Sequence, residues 1–522
     1  MRHAALLAAS ATLVAGQAYA EAPPTRTVMQ LRLGHERIDA FVWKTEGGDY
    51  LVDNTTLALL NVQAPEGDRI RLSSIPGLRY RAAADEGALI LECASACYDA
   101  QIISNENTAL PLTPSPPGAF LNVDLTGASV EGVSDTSALF EVGFFGGAGF
   151  GGFSWLTNAN QKKADGVDLI RLNTQWTIDD RARRTRLVLG DSVLRSDFGG
   201  ALRIGGIQWG TDFSVDPSYQ SYPLPTISGE AAAPSVVDLY QDGLLRMRQD
   251  VNAGPFEIQQ APVLDGAGRA QVVVRDALGR EQVYSQSFYV DATLLRQGVS
   301  DYSLGAGMER ANFAYKSNDY RNAFAAARYR YGIRSWLTAL AQTETSDDGD
   351  RIGAGAAFAA INAGRFDISY ARSASDGREG ESLQTAWRFL GAPIALGYSW
   401  EHSTDGYWRL GWVRNSADRT LQTAFLALNP VGFGAASITW IDDRNERQAM
   451  RTLGASYSPH LDIPGDLQFN FTRIDDARAH YFAGMRFTMQ IGGATASISL
   501  DHAAGRLNPQ ATMQTPADPA GG

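Results

Sequence analysis

The chain of 522 residues carries 57 acidic and 45 basic side chains, which give a formal net charge of −12. These charges are scattered along the sequence, which argues against a nucleic-acid-binding surface. Glycine is frequent, cysteine occurs twice, and no apolar segment after the N-terminus is long enough for a membrane-spanning helix. The composition leaves two classes, a soluble all-β protein or a β-barrel of the outer membrane.

The segment 1–20 has the features of a secretory signal peptide. Arg2 and His3 give a basic start, an apolar run covers 4–14, and Ala-Tyr-Ala at 18–20 is a small-residue cleavage site. Because such a leader is removed on export, we predict an exported mature chain that begins after residue 20.

Residues 21–110 form the first predicted unit, a small β-rich domain. VMQLRL alternates side chains from Val28 onward, and FVWKTEGGDYLVD indicates two strands joined by a Glu-Gly-Gly turn. DNTTLALLNV predicts one short helix capped by Asp53 or Thr55. Four prolines over 111–117 then indicate an extended linker.

The two cysteines, Cys93 and Cys97, lie in LECASACYD. In an oxidising compartment, two cysteines this close most simply form one disulfide. A metal pair is a weaker alternative, because His35 is the only histidine nearby and a second ligand pair is missing. Two free thiols are the third possibility.

Residues 111–228 and 292–505 consist of segments of about ten residues in which apolar and polar side chains alternate. A soluble sheet with one buried face gives the same pattern over a single strand. The recurrence of near-equal segments and a polar face typical of a wet lumen favour a transmembrane barrel over an array of soluble β-sandwiches. Aromatic residues near strand ends also favour the barrel, because they are expected at membrane interfaces: Tyr398, Trp400, Trp408 and Trp412.

Residues 229–291 interrupt this pattern with a predicted small sandwich that has its own core. In VNAGPFEIQQAPV, a turn at Gly254 and Pro255 precedes the buried-looking Phe256. The apolar cluster expected to form the core comprises Val236, Val237, Phe256, Ile258, Val272, Val274 and Phe288.

Sequence motifs for catalysis, cofactor binding or metal binding are weak, so we assign no catalytic, cofactor-binding or metal-ligating residue and do not predict an enzyme. GGAGFGG at 146–152 lacks the lysine and helix of a phosphate-binding loop and is better explained as barrel strand. Gly190-Asp191-Ser192 lacks the second glycine of a nucleophile elbow, because Leu194 stands there.

Several segments, in order, resemble the fimbrial outer-membrane ushers of the chaperone–usher pathway. The N-terminal match is LRLGHERIDAFVW and GDYLVD, and the first barrel strands match in GAFLNVDL, LVLGDSV and LRIGGIQWGTDFSVDP. The insert matches in LPTISGEAAAPSVVDLYQDG, NAGPFEI and ALGREQVYSQSFYV, and the return to the barrel in LLRQGVSDYSLGAG.

The resemblance implies an all-β fold: a large antiparallel transmembrane β-barrel with an inserted β-sandwich plug domain and a small N-terminal periplasmic domain. It implies a bacterial outer-membrane protein that receives periplasmic chaperone–pilin complexes, joins subunits by donor-strand exchange and passes the fibre through a plug-gated pore. The implied partners are the chaperone, pilin subunits, outer-membrane lipid and a second copy of the chain in a homodimer, with no nucleic acid and no cofactor.

The resemblance also suggests roles for individual residues. The first strand, around Val28, Met29 and Leu31, is the segment expected to contact the chaperone. The alternative is that these three residues are core of the small domain, as their alternation also allows. Phe256 is expected to anchor the plug core.

The sequence departs from the family in length. We count about six barrel strands before the plug and about fourteen after it, against the family's roughly 24. We therefore expect an incomplete barrel, with a loop or truncated end at 506–522 and an unpaired sheet edge. The alternatives are a gated outer-membrane porin or transporter and a secreted all-β adhesin.

Overall fold

The structure is a computed structural model that describes residues 24–515. Within that range it leaves out 35, 84, 95–96, 99–100, 105–115, 131–132, 148, 161–167, 198–200, 232, 242, 277, 392, 413–414, 416, 447–448, 462, 477 and 504–505. The predicted signal peptide and most of the predicted proline-rich linker lie outside the described residues.

Strands dominate the described residues. They are β1 (Thr25–Leu33), β2 (Glu36–Lys44), β3 (Tyr50–Asp53), β4 (Arg69–Arg71), β5 (Leu78–Ala83), β6 (Ala88–Cys93), β7 (Gln101–Ser104), β8 (Gly118–Val130), β9 (Val133–Gly146), β10 (Gly149–Asn160), β11 (Asp168–Asp180), β12 (Thr185–Arg195), β13 (Ala201–Thr211), β14 (Ile227–Ala231), β15 (Ser235–Gln241), β16 (Leu244–Val251), β17 (Gly254–Gln259), β18 (Gly266–Asp276), β19 (Glu281–Val290), β20 (Ser300–Arg310), β21 (Tyr320–Arg334), β22 (Leu337–Ser346), β23 (Gly349–Ala360), β24 (Gly364–Ser375), β25 (Arg378–Leu390), β26 (Ile394–Ser403), β27 (Arg419–Leu428), β28 (Gly434–Asn445), β29 (Ala449–Pro459), β30 (Asp466–Asp475), β31 (Ala479–Ile491), β32 (Ala494–Ala503) and β33 (Arg506–Gln514).

The N-terminal domain is a six-stranded sheet in the order β4-β3-β2-β1-β6-β5. The predicted short helix is present as α1 (Asn54–Leu59), and Asp53 is its N-cap residue. The alternating apolar side chains of β1 point into the domain, where Leu31, Val42 and Leu57 are fully buried. The domain therefore has its own hydrophobic core.

The plug is a sandwich of two small sheets, β14-β17-β7 and β16-β15-β18-β19. Its buried core confirms most of the predicted apolar cluster, with Phe256 and Val237 almost free of solvent. Tyr222 and Leu224 also pack against this core, so the unit begins earlier in the chain than the predicted residue 229.

The remaining 20 strands form one closed barrel in chain order, with the plug inserted between β13 and β20. Six strands precede the plug and fourteen follow it, in agreement with the predicted numbers. Large apolar side chains such as Ile352, Ile368 and Tyr370 are exposed on the outer face. Their neighbours in sequence face the lumen, as alternation in a transmembrane barrel requires. Among the described residues, no helix has the length and hydropathy needed to cross a bilayer.

The barrel closes between β33 and β8. The prediction of a loop at 506–522 is wrong for 506–514, which pair with β32 along their whole length. Pro509 lies within this segment, and a proline inside a run of residues argues against a central strand, so the segment does not look like a strand in the sequence. The expected open edge is therefore not present, because β33 and β8 are hydrogen-bonded neighbours. Among the described residues, they are the one neighbouring pair of the ring that is not paired residue by residue over a longer stretch.

Candidate gate at the mouth of the barrel

The plug leaves and rejoins the barrel at one end of two adjacent strands. β13 and β20 are paired directly, from Ile204 opposite Glu309 to Gly210 opposite Ser303, so the wall is continuous without the insert. The segment from 212 to 299 is therefore held at both ends at the same point on the rim. A domain tethered in this way can move relative to the lumen without leaving the barrel.

Phe256 organises the core of the plug, as predicted. It lies on β17 opposite Gly229 of β14, and a Cβ at Gly229 would be 2.4 Å from the Phe256 ring. The ring therefore fills the space that the glycine leaves open. The prediction of a turn at Gly254 and Pro255 is wrong. Both residues begin β17, and the bend falls just before them.

Gly254 has a second role at the contact between the plug and the N-terminal domain. Its φ of +122° is poorly accessible to other residues, and a Cβ there would be 2.6 Å from the Tyr98 Cβ. Beside it, β7 pairs in parallel with β17, from Gln101 opposite Phe256 onward. The Gln101 side chain donates to the Asn252 carbonyl and accepts from the Asn252 amide. The plug is thus bound to the chain that leads out of the N-terminal domain.

Asp291, at the end of the plug, is bound to the inner rim of the barrel. Its carboxylate accepts hydrogen bonds from Arg388 at 2.8 Å and from Arg365 at 3.2 Å, and its side chain is 1% exposed. Burial by itself raises the pKa of a carboxyl. The Thr293 hydroxyl and the two guanidinium groups outweigh burial and lower the pKa of Asp291, so the carboxylate stays charged at neutral pH.

The hairpin β18–β19 makes a second contact with the same rim. Tyr289 stacks on Phe389 with ring centroids 6.2 Å apart, and its hydroxyl donates to the Arg388 carbonyl. Ala267 forms a single parallel bridge with Gly391, in the turn between β25 and β26. These contacts lie at the end of the barrel where the plug is attached, so the plug occupies the mouth.

At the opposite end, the described residues of the loop 404–418, between β26 and β27, fold into the lumen. Trp408 is only 3% exposed and packs with Leu194, Ile204 and Phe324 of the wall. The Trp408 amide donates to the Ser373 hydroxyl, which faces the lumen. The interpretation of Trp408 as an interface aromatic is therefore wrong: its side chain is buried against apolar residues of the inner wall.

A buried ion pair on the barrel wall contacts this inward-folded loop. The Glu344 carboxylate pairs with Arg351 at 2.5 Å and accepts a hydrogen bond from the Leu410 amide at 3.2 Å. Glu344 and Arg351 are both nearly free of solvent, and an unpaired charge there would be costly. Glu344, held in place by Arg351, therefore positions the loop at Leu410 against the inner face of the wall. This site has no signature in the sequence, because the loop and its partners are far apart in the chain.

Comparison with known proteins agrees with this architecture. Residues 154–510 match the family model of the outer membrane usher protein. The chain belongs to the outer membrane usher family. The match runs from β10 into β33 and so covers most of the barrel and the whole segment inserted between β13 and β20. The resemblance seen in the sequence and the predicted fold class are both confirmed.

Individual relatives of this usher are distant. The F1 capsule-anchoring protein of Yersinia pestis is 27% identical over 241 residues, 45% of this chain and 28% of that protein. The outer membrane usher protein AfaC of Escherichia coli is 25% identical over 323 residues, 57% of this chain and 37% of that protein. The chain thus spans well under two thirds of the length of these relatives.

A solved structure shares the fold of the usher. It is the Escherichia coli P pilus tip assembly intermediate PapC-PapD-PapK-PapG, with a TM-score of 0.58 and 17% sequence identity. The likeness covers 94% of this chain and 67% of the matched chain. It therefore includes the N-terminal domain, which the family model does not match.

The three residues that were predicted to contact a chaperone lie on opposite faces of the usher's first strand. Met29 and Leu31 are buried in the N-terminal domain, in agreement with the alternative that these residues are core of the domain. Val28 points the other way and is 60% exposed. It lies opposite Phe41, which is 46% exposed, and the Arg26 guanidinium lies 3.7 Å from the centroid of the Phe41 ring.

The usher's two cysteines, Cys93 and Cys97, are joined by a disulfide, in agreement with the first of the three possibilities. Cys97 is fully buried against the core of the N-terminal domain. Among the residues that the structure describes, no group of three His, Cys, Asp or Glu side chains has the geometry of a metal site.

Proposed function

We propose that this chain works as a pilus usher, which receives chaperone–pilin complexes and passes the growing fibre through a plug-gated pore. The observation that carries the proposal is the insertion of a complete sandwich between two directly paired strands, tethered at the mouth. A barrel used only for small solutes does not require a mobile domain of this size.

The width of the barrel supports the need for a gate. Barrels of 16 to 18 strands already enclose an aqueous channel, and the lumen of larger ones is plugged. A ring of 20 strands without an obstruction would leak small molecules across the membrane. The plug, together with the inward-folded loop 404–418, provides the obstruction.

The proposed docking site for the chaperone is the exposed patch of Arg26, Val28 and Phe41 on the N-terminal domain. An aromatic ring beside an aliphatic side chain and a guanidinium is typical of the centre of a protein–protein interface. Subunits held there would be concentrated at the mouth of the pore, where one donor strand can replace another without covalent chemistry. The likeness to a pilus tip assembly intermediate supports chaperone and pilin as partners.

Replacement of Phe41 tests this docking site. Phe41→Ala should weaken capture of a purified chaperone–pilin complex by roughly tenfold or more, because central aromatic residues dominate interface energies. The measurement is the dissociation constant of the full-length protein in detergent. Arg79→Ala, on the exposed surface of β5, is the matched control and should leave capture unchanged. Equal capture by wild type and Phe41→Ala would refute the assignment of the patch.

A gated porin is the second candidate function, supported by the barrel and plug alone. It gives no reason for an N-terminal domain joined to the plug through β7. If no chaperone–pilin complex binds the full chain and small solutes pass when the plug moves, the porin function holds and the usher function does not.

A further inference from the structure

The outer wall of the barrel carries a basic patch at the end opposite the plug. On β13, Ile207 and Trp209 are exposed on the outer face, and alternation places Arg203 on that face near the strand end. On β12, Val193 is outward and lies opposite Arg203, and Arg195 follows on the same face. Arg195 and Arg203 are therefore neighbours on the rim.

These two arginines differ from other outward arginines at the same end. Arg372 pairs with Glu379, Arg473 with Asp475, and Arg444 with Asp442. Within the part of the chain that the structure describes, no carboxylate lies within ion-pair distance of Arg195 or Arg203. The Arg203 guanidinium instead lies 3.5 Å from the centroid of the Phe313 ring. The local positive charge is thus not neutralised by the protein.

A buried arginine adds to this excess of positive charge. Arg310 lies beside Phe313, with its side chain 1% exposed, and shares the single carboxylate of Asp191 with Arg171. The Nε of Arg310 is buried without a hydrogen-bond partner among the described residues. Two guanidinium groups sharing one carboxylate leave a net positive charge beneath the patch.

An apolar groove runs along the outer wall towards the middle of the barrel. Its floor is made of small side chains, including Ala327, Ala341 and Ala354, and its sides include Leu304, Tyr329 and Tyr370. Leu304 is on β20, six residues from Arg310 and so about 20 Å along the strand. The groove therefore lies at the depth of acyl chains when the patch lies among headgroups.

We propose that Arg195 and Arg203 bind the phosphate groups of a lipid in the leaflet opposite the plug, with an acyl chain in the adjacent groove. Guanidinium groups bind phosphate oxygens through charge-assisted, often bidentate hydrogen bonds. Unpaired cations at a membrane interface are stabilised by anionic headgroups. The lipid supplies the counter-charge that the chain itself lacks, and it would hold one side of the wall in a fixed position beside β11–β13.

The test measures lipid retention by the full-length protein in phosphatidylcholine nanodiscs, using native mass spectrometry. Bisphosphorylated lipid A is the probe, compared with lipid A stripped of phosphate and with inorganic phosphate. R195Q/R203Q should retain the bisphosphorylated lipid roughly tenfold less well than wild type or worse, since two charge-assisted contacts are lost. R195K/R203K should keep most of the retention, because lysine still supplies the charge.

R473Q is the matched control, since Arg473 is also outward, at the same end and beside a tyrosine, but is paired with Asp475. It should retain lipid as wild type does. Heat-modifiable gel mobility verifies that each variant is a folded barrel. Equal retention by wild type and R195Q/R203Q would overturn the proposal. So would equal retention of phosphate-free lipid A, or retention of inorganic phosphate in place of the lipid.

Discussion

Phe256 is a residue of the plug core that can be identified from the sequence. It stood out in the sequence because an aromatic residue followed directly on Gly-Pro, and its burial in the plug core was predictable. Its packing on Gly229 was not, because that pairing depends on the register of β14 and β17. Likewise, the alternation in β1 could not decide which face of the strand is core.

Truncation of Phe256 should destabilise the plug without affecting the barrel. Phe256→Ala removes a fully buried ring and leaves a cavity above Gly229, which costs about 3–5 kcal/mol. Hydrogen exchange in the full-length protein should then speed up in β14, β15 and β17 but not in barrel strands. Val283→Ala, at an exposed plug position, is the control and should exchange as wild type does. Unchanged exchange in Phe256→Ala would contradict the packing described.

Asp238 should make the stability of the plug depend on pH. The Arg248 guanidinium donates two hydrogen bonds to the Asp238 carboxylate, at 2.6 and 2.8 Å, and lowers the pKa of Asp238. A pKa lower in the folded state means that the carboxylate stabilises the plug above about pH 4. That contribution is lost as pH falls through the folded-state pKa.

Asp238→Asn therefore should lower the unfolding temperature of the plug at pH 7, and the difference from wild type should shrink below about pH 4. Calorimetry between pH 3 and pH 7 measures both effects. Asp250→Asn, exposed on β16, should show neither. A difference that stays constant over this pH range would show that the ion pair does not stabilise the plug.

At the scale of elements, the barrel strands and the inward-folded loop differ in how well the sequence reveals them. A strand in the barrel carries its period of two in its own residues, so PIALGYSWE identifies β26 with outward Ile394 and Tyr398. The loop 404–418 has no such signature. Its position depends on Glu344, Arg351 and Ser373 from other strands, and only the fold brings these residues together.

Loss of Trp408 should loosen this loop and widen the lumen. Trp408→Ala removes the buried ring that packs on Leu194 and Phe324, so we expect larger and noisier single-channel currents than in wild type. Trp412→Ala is the matched control, because Trp412 is in the same loop and half-exposed. If both variants conduct as wild type does, the loop does not constrict the lumen.

At the scale of the whole molecule, the order of the strands was predictable and the closure was not. Alternation and the change of pattern near residue 229 gave the order barrel, plug, barrel. Closure between β33 and β8 depends on the assembled ring of strands. The last strand was not predicted because it contains Pro509. The position of the plug at the mouth also rests on long-range contacts, such as that between Asp291 and Arg388.

The most direct test of the proposed gate is the conductance of a barrel without its plug. Because Gly210 lies opposite Ser303, a short glycine–serine turn can replace residues 213–298 and keep β13 paired with β20. In planar bilayers, wild type should show low, intermittent conductance, and the deletion variant should show a large and steady one. Equal conductance of the two proteins would contradict the account, because the inserted domain would then not obstruct the pore.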